Sequence, residues 1–336
     1  MDHFKPAYTD NLYYLDYIDL VQIFSDKIYP LCLTENDFRF INLIENKFYD
    51  KIKIKVNFLE KILKIIPRYK FIFKNIEKIF KDVQPKIFIS VVSYSIINKI
   101  ACEVSHKLKI PSIELQHGTI NDFSINYNYP QNIKIKSFPG IFFSWGSYWT
   151  KKTLFPKDTI VEEVGFPFFE IERNKYSNIR KKNKTILVLS QHTIGVKLFK
   201  IINDLAKSIP TYTFIFKLHP SEINNPFYKT KKQKNIIINS DYNASLYKLF
   251  AICQIQIGVY STAIAEGIGF GLNSIIFKID GYNYSYYNEL ADNKSLIISN
   301  DLFAIKDFII NLKNQNKNKN NELINSFFKS NSLINI

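Results

Sequence analysis

Between residues 58 and 80 the apolar positions fall at helical spacing. Phe58, Ile62, Ile65 and Ile66 precede Pro67, and Phe71, Phe73, Ile76, Ile79 and Phe80 follow it, with lysines on the opposite faces. This predicts an amphipathic helix interrupted at Pro67, either packed into the fold or laid on a membrane surface. Residues 1–84 as a whole read as helical and irregular. From Pro85 the pattern changes. Short Ile- and Val-rich runs at 86–92, 112–116, 141–144 and 160–164 read as buried strands, and a helical pattern runs between the first two through Leu108. Strands alternating with helices predict a parallel sheet with crossover helices.

Residues 172–184 are polar and charged and read as a linker, after which the alternation restarts. Strands are expected at 185–189, 213–218, 235–238, 255–259, 273–278 and 295–299. Helices are expected at 196–208, 245–253, 263–268 and 302–312. The chain is therefore expected to form two Rossmann-like α/β domains. The first spans 1–170, with a helical part at 1–84, and the second spans 184–312. A low-complexity Lys/Asn tail follows at 313–336, mobile up to the apolar stretch at 323–328.

The 336 residues suffice for two such domains, and 46% of them are hydrophobic. No run approaches the roughly 18 apolar residues of a membrane-spanning helix, and residues 1–10 do not read as a secretory signal. Three scattered cysteines, Cys32, Cys102 and Cys253, fit neither a disulfide framework nor a zinc site, and point to the cytoplasm. The formal net charge is +15, but the basic residues are spread along the chain without an Arg-rich motif. Nucleic acid is therefore not the expected partner. A basic, aromatic-rich surface does suit contact with an anionic inner-membrane face.

In open parallel sheets ligands bind beyond the carboxyl ends of the strands. That rule selects four loops, 116–119, 190–193, 218–222 and 260–266, which contain His117, His192 and His219. His3 and His106 fall elsewhere and are expected to be structural. His219-Pro220 follows a strand ending in Lys217, and a histidine fixed before proline suits a phosphate oxygen or a leaving group. Ser261-Thr262 opens a helix, whose N-terminus attracts anions. Glu266 shares a helix face with Thr262, where it can meet a ribose. In the first half, Gly118 allows close backbone approach beside Gln116 and His117. His117 and Asp122 are the candidate general bases, and Gln116, Gly118 and His192 are expected to line the cleft. No D-x-D pair follows a strand and no His/Cys cluster has ligand spacing, so no metal is expected.

Leu115-Gln116-His117-Gly118, Lys217-Leu218-His219-Pro220 and Val259-Tyr260-Ser261-Thr262 occur in an order that resembles bacterial surface-polysaccharide transferases of the GT-B type. The His-Pro and Ser-Thr motifs are similar to those of the capsule Kdo-transferase, sialyltransferase and polysialyltransferase groups. The His-Gly and His-Pro pair is also similar to the CDP-glycerol glycerophosphotransferases. The likeness spans about residues 86–300. It implies an α/β GT-B fold in which two Rossmann-like domains face a central cleft. It also implies an inverting, metal-independent transfer without a cofactor, from a nucleotide-sugar donor (cytidine-based in these groups) to a capsule, O-antigen or lipid-linked saccharide acceptor. His219, Ser261 and Thr262 would hold the donor's phosphate. Sialyltransferases carry an acidic-acidic-glycine motif where this chain has Gln116-His117-Gly118, which argues against a CMP-sialic acid donor. Two other readings stand beside this one: a CDP-polyol phosphotransferase attacking at phosphorus, and a non-catalytic nucleotide-sugar-binding protein.

Overall fold

In the computed structural model the described residues are 32–130, 132–229, 232–241, 245–279, 285–290, 295–312 and 317–330; His3 lies outside them. Helix α1 (Glu35–Ile52) starts at a capping box, in which Thr34 and Asp37 satisfy each other's backbone N–H groups. Helix α2 (Phe58–Val83) runs straight through Pro67, where the apolar pattern predicts a break. An interior proline removes one hydrogen bond and costs roughly 3 kcal/mol. Burial at and after it offsets that loss: Pro67 is itself buried, and Ile72, Ile76 and Phe80 pack against Ile97, Ile100 and Val104 of α3 (Ile96–Leu108). The apolar face of α2 is thus a packing face over its second half.

The first sheet contains β1 (Phe88–Ser90), β2 (Ser112–Leu115), β3 (Ile141–Ser144) and β4 (Ile160–Glu163) in that spatial order. β2 pairs in parallel with both β1 and β3. The second sheet contains β5 (Thr185–Leu189), β6 (Thr213–Lys217), β7 (Ile236–Asn239), β8 (Ile255–Gly258), β9 (Asn273–Phe277) and β10 (Leu296–Ser299). Its order is β10-β9-β8-β5-β6-β7, every pair parallel. All residues of β5 are buried, as expected of a central strand covered on both faces.

By contacts the chain forms two compact units. The first comprises the chain up to His117 with Asn128–Phe143 and Leu154–Glu162; the second takes Gly118–Tyr127, Ser144–Thr153 and everything from Glu163. The second unit thus begins ahead of the polar stretch at 172–184, part of which is helical. Helix α4 (Ser147–Thr150) follows β3, and α5 (Pro167–Lys175) occupies the first residues of that stretch. The other helices of this unit are α6 (Gly195–Ser208), α7 (Leu246–Ile252), α8 (Thr262–Gly269), α9 (Leu302–Asn311) and α10 (Lys317–Phe327).

Helix α10 lies where the composition predicts a mobile tail. Its end is held by an aromatic cluster. Phe328 stacks on Phe169 with centroids 4.2 Å apart, Phe327 packs on Trp149, and Trp145 stacks on Phe166 at 4.5 Å. Trp149 Nε1 donates to the Phe327 carbonyl at 2.8 Å, and the Lys329 N–H donates to the Trp145 carbonyl at 2.7 Å. Cys102 and Cys253 are core residues, as their apolar neighbourhoods predict. Among the described residues no helix is long and apolar enough to cross a membrane. Phe328→Ala should lower the stability of the second unit by about 3–5 kcal/mol, read from denaturant unfolding followed by tryptophan fluorescence.

Candidate functional site

In the second sheet the chain proceeds from β5 to β7 on one side, then crosses back to place β8 on the other side of β5. The switch point of the topology, where ligands of such sheets bind, therefore lies at the carboxyl ends of β5 and β8. The two loops that leave there are tied together. The hydroxyls of Thr193 and Tyr260 are 2.5 Å apart, and the Tyr260 N–H donates to Gln191 Oε1 at 3.3 Å. His192 sits exposed in the first of these loops.

The loop after β8 begins α8. Ser261 is the N-cap, its Oγ accepting from the Ala263 N–H at 3.2 Å, while its carbonyl accepts from the Tyr287 hydroxyl at 3.0 Å. Thr262 Oγ1 accepts from the Thr119 N–H at 3.3 Å, so this hydroxyl fastens the Gly118–Thr119 turn within the second unit. Helix α8 seats close to β8 because Gly267 carries no side chain where Gln256 lies. The buried Gln256 Nε2 donates to the Ile264 carbonyl and to Ser274 Oγ, each at 2.8 Å.

His219 and Pro220 follow β6, on the far side of β5 from β8, so at ordinary strand spacing about 10 Å separates the two loops. Both lie at the same edge of the sheet. The His219 ring is exposed, and one of its nitrogens is engaged. The Ser221 N–H donates to Nδ1 at 3.3 Å, with the Ser221 hydroxyl 2.7 Å from the same nitrogen. A backbone N–H can only donate, so Nδ1 accepts, and the neutral ring carries its proton on Nε2, a donor for an incoming oxygen. Glu222, buried in the second turn residue after Pro220, holds this loop: its Oε2 accepts from the His219 N–H at 3.0 Å, and its Oε1 accepts from the Tyr228 hydroxyl. Burial and the neighbouring carboxylate push the Tyr228 hydroxyl upward, which keeps it a donor. The same carboxylate lies against the start of α6, where a Cβ on Gly195 would collide with Glu222 Oε1, the Tyr228 hydroxyl and Ser190 Oγ. Sequence reasoning missed Glu222, Gly195 and Tyr228; the one signal available was an acidic residue at capping-box spacing from His219.

Two residues expected at the donor site have other duties. The Lys217 ammonium turns toward β7 and donates to Asn239 Oδ1 at 3.2 Å and to the Asp241 carbonyl at 2.5 Å. Burial lowers its pKa, and Asp241 partly restores it. Glu266 lies one turn inside α8 and hydrogen-bonds Tyr247 of α7; burial pushes its carboxyl up to about 7.

In the first unit, Gln116 and His117 follow β2, and Ser93 and Tyr94 follow β1. Gln116 is only 1% exposed, so its side chain belongs to the interior and does not line an open surface. His117 is half-buried, with Nε2 3.3 Å from the Tyr94 hydroxyl. Its Nδ1 is sealed from solvent and meets no partner in good geometry among the described residues. Burial lowers the pKa of the ring, and the Val91 backbone offsets part of that effect. Glu114 is fully buried, accepts from the Ser93 N–H at 3.3 Å, and its charge contributes to raising the hydroxyls of Tyr94 and Tyr129. Asp122 is exposed in a turn within the second unit. His106 ends α3, away from these loops. Among the described residues no group of three His, Cys, Asp or Glu side chains is placed to hold a metal ion.

Two α/β units with parallel sheets and polar loops at the strand ends define a fold of the GT-B type. Solved structures carry the same fold. A UDP-GlcNAc 2-epimerase from Neisseria meningitidis, solved with UDP-GlcNAc bound, matches with a TM-score of 0.51 at 13% identity, covering 77% of this chain and 76% of that one. The kitacinnamycin glycotransferase matches at 0.52 and 9%, covering 82% and 78%. A further UDP-N-acetylglucosamine 2-epimerase matches at 0.50 and 12%, covering 85% and 80%. No family model matches the sequence, and no curated protein matches it.

Gly195→Ala should displace Glu222 and loosen the His219 loop, with about 1–3 kcal/mol of lost stability in chemical unfolding. Glu266 gives a pH signature of definite sign. Its folded pKa of about 7 lies above the ordinary 4.5, so the fold is unimpeded below pH 4.5 and loses stability as pH rises toward 7. The ceiling on that loss is about 3 kcal/mol. Glu266→Gln should leave the melting temperature unchanged near pH 5 and raise it relative to the wild-type chain at pH 8.

Proposed function

We propose that the protein is a metal-independent, inverting glycosyltransferase that moves a sugar from a nucleoside-diphosphate or -monophosphate donor to a saccharide or lipid-linked acceptor of a surface polysaccharide. The observation that carries this reading is the edge of the second sheet at its switch point. There the start of α8, capped by Ser261, and the Nε2–H of His219 both suit a phosphate. The acceptor's hydroxyl oxygen forms the new bond to the anomeric carbon as the bond to the donor's phosphate oxygen breaks. The charge left on that oxygen is met by the His219 N–H and the helix start. The acceptor's proton passes to a base, for which His117 is the first choice. Burial keeps its ring neutral and ready to accept at physiological pH. Asp122 is the second choice.

A thermal-shift series with CMP, CDP, UDP and GDP tests the donor side. The cognate nucleotide at 100 times its dissociation constant should add about 2.7 kcal/mol, and His219→Ala or Ser261→Ala should remove most of the shift. None of the four shifting the melt would sink the reading. His117→Ala should lower turnover by roughly a hundredfold or more while nucleotide affinity holds. In the wild-type enzyme the acid limb of kcat/KM should lie below the ordinary histidine range, because the depressed ring stays unprotonated further into acid. Normal turnover in His117→Ala with a dead Asp122→Ala would assign the base to Asp122.

A further inference from the structure

Helix α1 buries only Ile41. Its outer face carries Phe40, Leu43 and Ile44 at helical spacing, 62%, 49% and 38% exposed, and the same face continues through Lys47 and Lys51. At and just past the helix end, Ile52 and Ile54 are 50% and 57% exposed and alternate with Lys51, Lys53 and Lys55. The corner into α2 is pinned by side-chain contacts. Glu45 Oε1 accepts from the Phe58 and Leu59 N–H groups at 2.7 and 3.2 Å, and Phe48 packs edge-on against Phe58. Around it the charge is one-sided, with eight basic residues against two acidic ones over residues 47–70. One of those acids, Glu60, is paired with Lys64 at 2.5 Å. An open hollow of about 490 Å³ beside the corner is lined by Lys55, Lys61 and Lys64 together with Val56, Asn57 and Glu60.

Exposed aliphatic and aromatic side chains set among lysines are what an interfacial helix uses to enter the headgroup layer of an acidic bilayer. An acidic protein or a nucleic acid would satisfy the lysines yet gain little from Phe40, Ile52 and Ile54. The apolar face of α2 is not available for this role in its second half, since α3 covers it. We propose that the outer face of α1 and the α1–α2 corner form a docking surface for an anionic phospholipid membrane. Phe40, Ile52 and Ile54 enter the headgroup layer and Lys51, Lys53 and Lys55 bind its phosphates. This proposal stands apart from the catalytic reading and is tested without substrate.

The full chain is floated with vesicles of phosphatidylcholine alone and of phosphatidylcholine mixed with phosphatidylglycerol. It should float with the mixed vesicles only, and less as salt is raised. Changing Lys51, Lys53 and Lys55 together to Ser should lower the partition coefficient about a hundredfold. Phe40→Ser with Ile54→Ser should lower it at least about tenfold. The same Lys→Ser change at Lys197, Lys200 and Lys207 of α6 should leave it unchanged, with all variants melting as the wild type does. Failure to float with phosphatidylglycerol overturns the proposal. So does an equal loss in the α6 variant, which would mean diffuse attraction by net charge. A dimer in sedimentation equilibrium that Phe40→Ser with Ile54→Ser dissociates would also overturn it, because the face would then join two copies.

Discussion

The carboxylate of Glu222 is the interaction on which the loop after β6 depends. It is buried, it accepts from the His219 backbone and from Tyr228, and it occupies the start of α6, where only glycine leaves room. A buried carboxylate is tolerable only with such partners, and removal of any one leaves the others uncompensated. The positive end of α6 is therefore filled by the protein's own negative charge. The start of α8, across β5, has no such internal carboxylate at its cap, where Ser261 supplies a neutral hydroxyl. The two helix starts at the switch point thus differ: one meets a buried carboxylate of the protein's own, and the other is closed by a neutral hydroxyl.

The same economy of polar groups appears in the first unit. Glu114 sits at zero exposure beneath the ends of β1 and β2, and the tyrosines around it are held in their protonated forms. His117 is pushed the other way by its burial, toward the neutral ring. A donor-rich neighbourhood with an uncharged imidazole at its rim differs in kind from the second unit's edge, where the exposed His219 offers a proton rather than a lone pair.

The strands were legible because buried parallel strands are continuous Ile, Val and Phe runs, and the restart at Thr185 marks the true start of the second sheet. The loops carrying His117, His219 and Ser261 were legible for a related reason: strand ends are visible in the sequence, and each of these residues follows one. Side-chain direction was not. Lys217 turns to the β7 end and Gln116 inward, outcomes set by neighbours distant in sequence. Helix α10 escaped notice because Lys and Asn dominate its first half; the apolar stretch at 323–328 that follows holds it, through two phenylalanines at its end. Pro67 misled for the opposite reason, a local rule overruled by the packing of the helix after it.

That aromatic anchor also sets an order in time. Trp145, Trp149, Phe166 and Phe169 leave the ribosome well before Phe327 and Phe328, their stacking and packing partners. At ordinary elongation rates the interval is on the order of ten seconds. For that period the nascent chain carries an open indole and phenyl surface. The aromatic cluster of the second unit is therefore completed only when synthesis has passed residue 328.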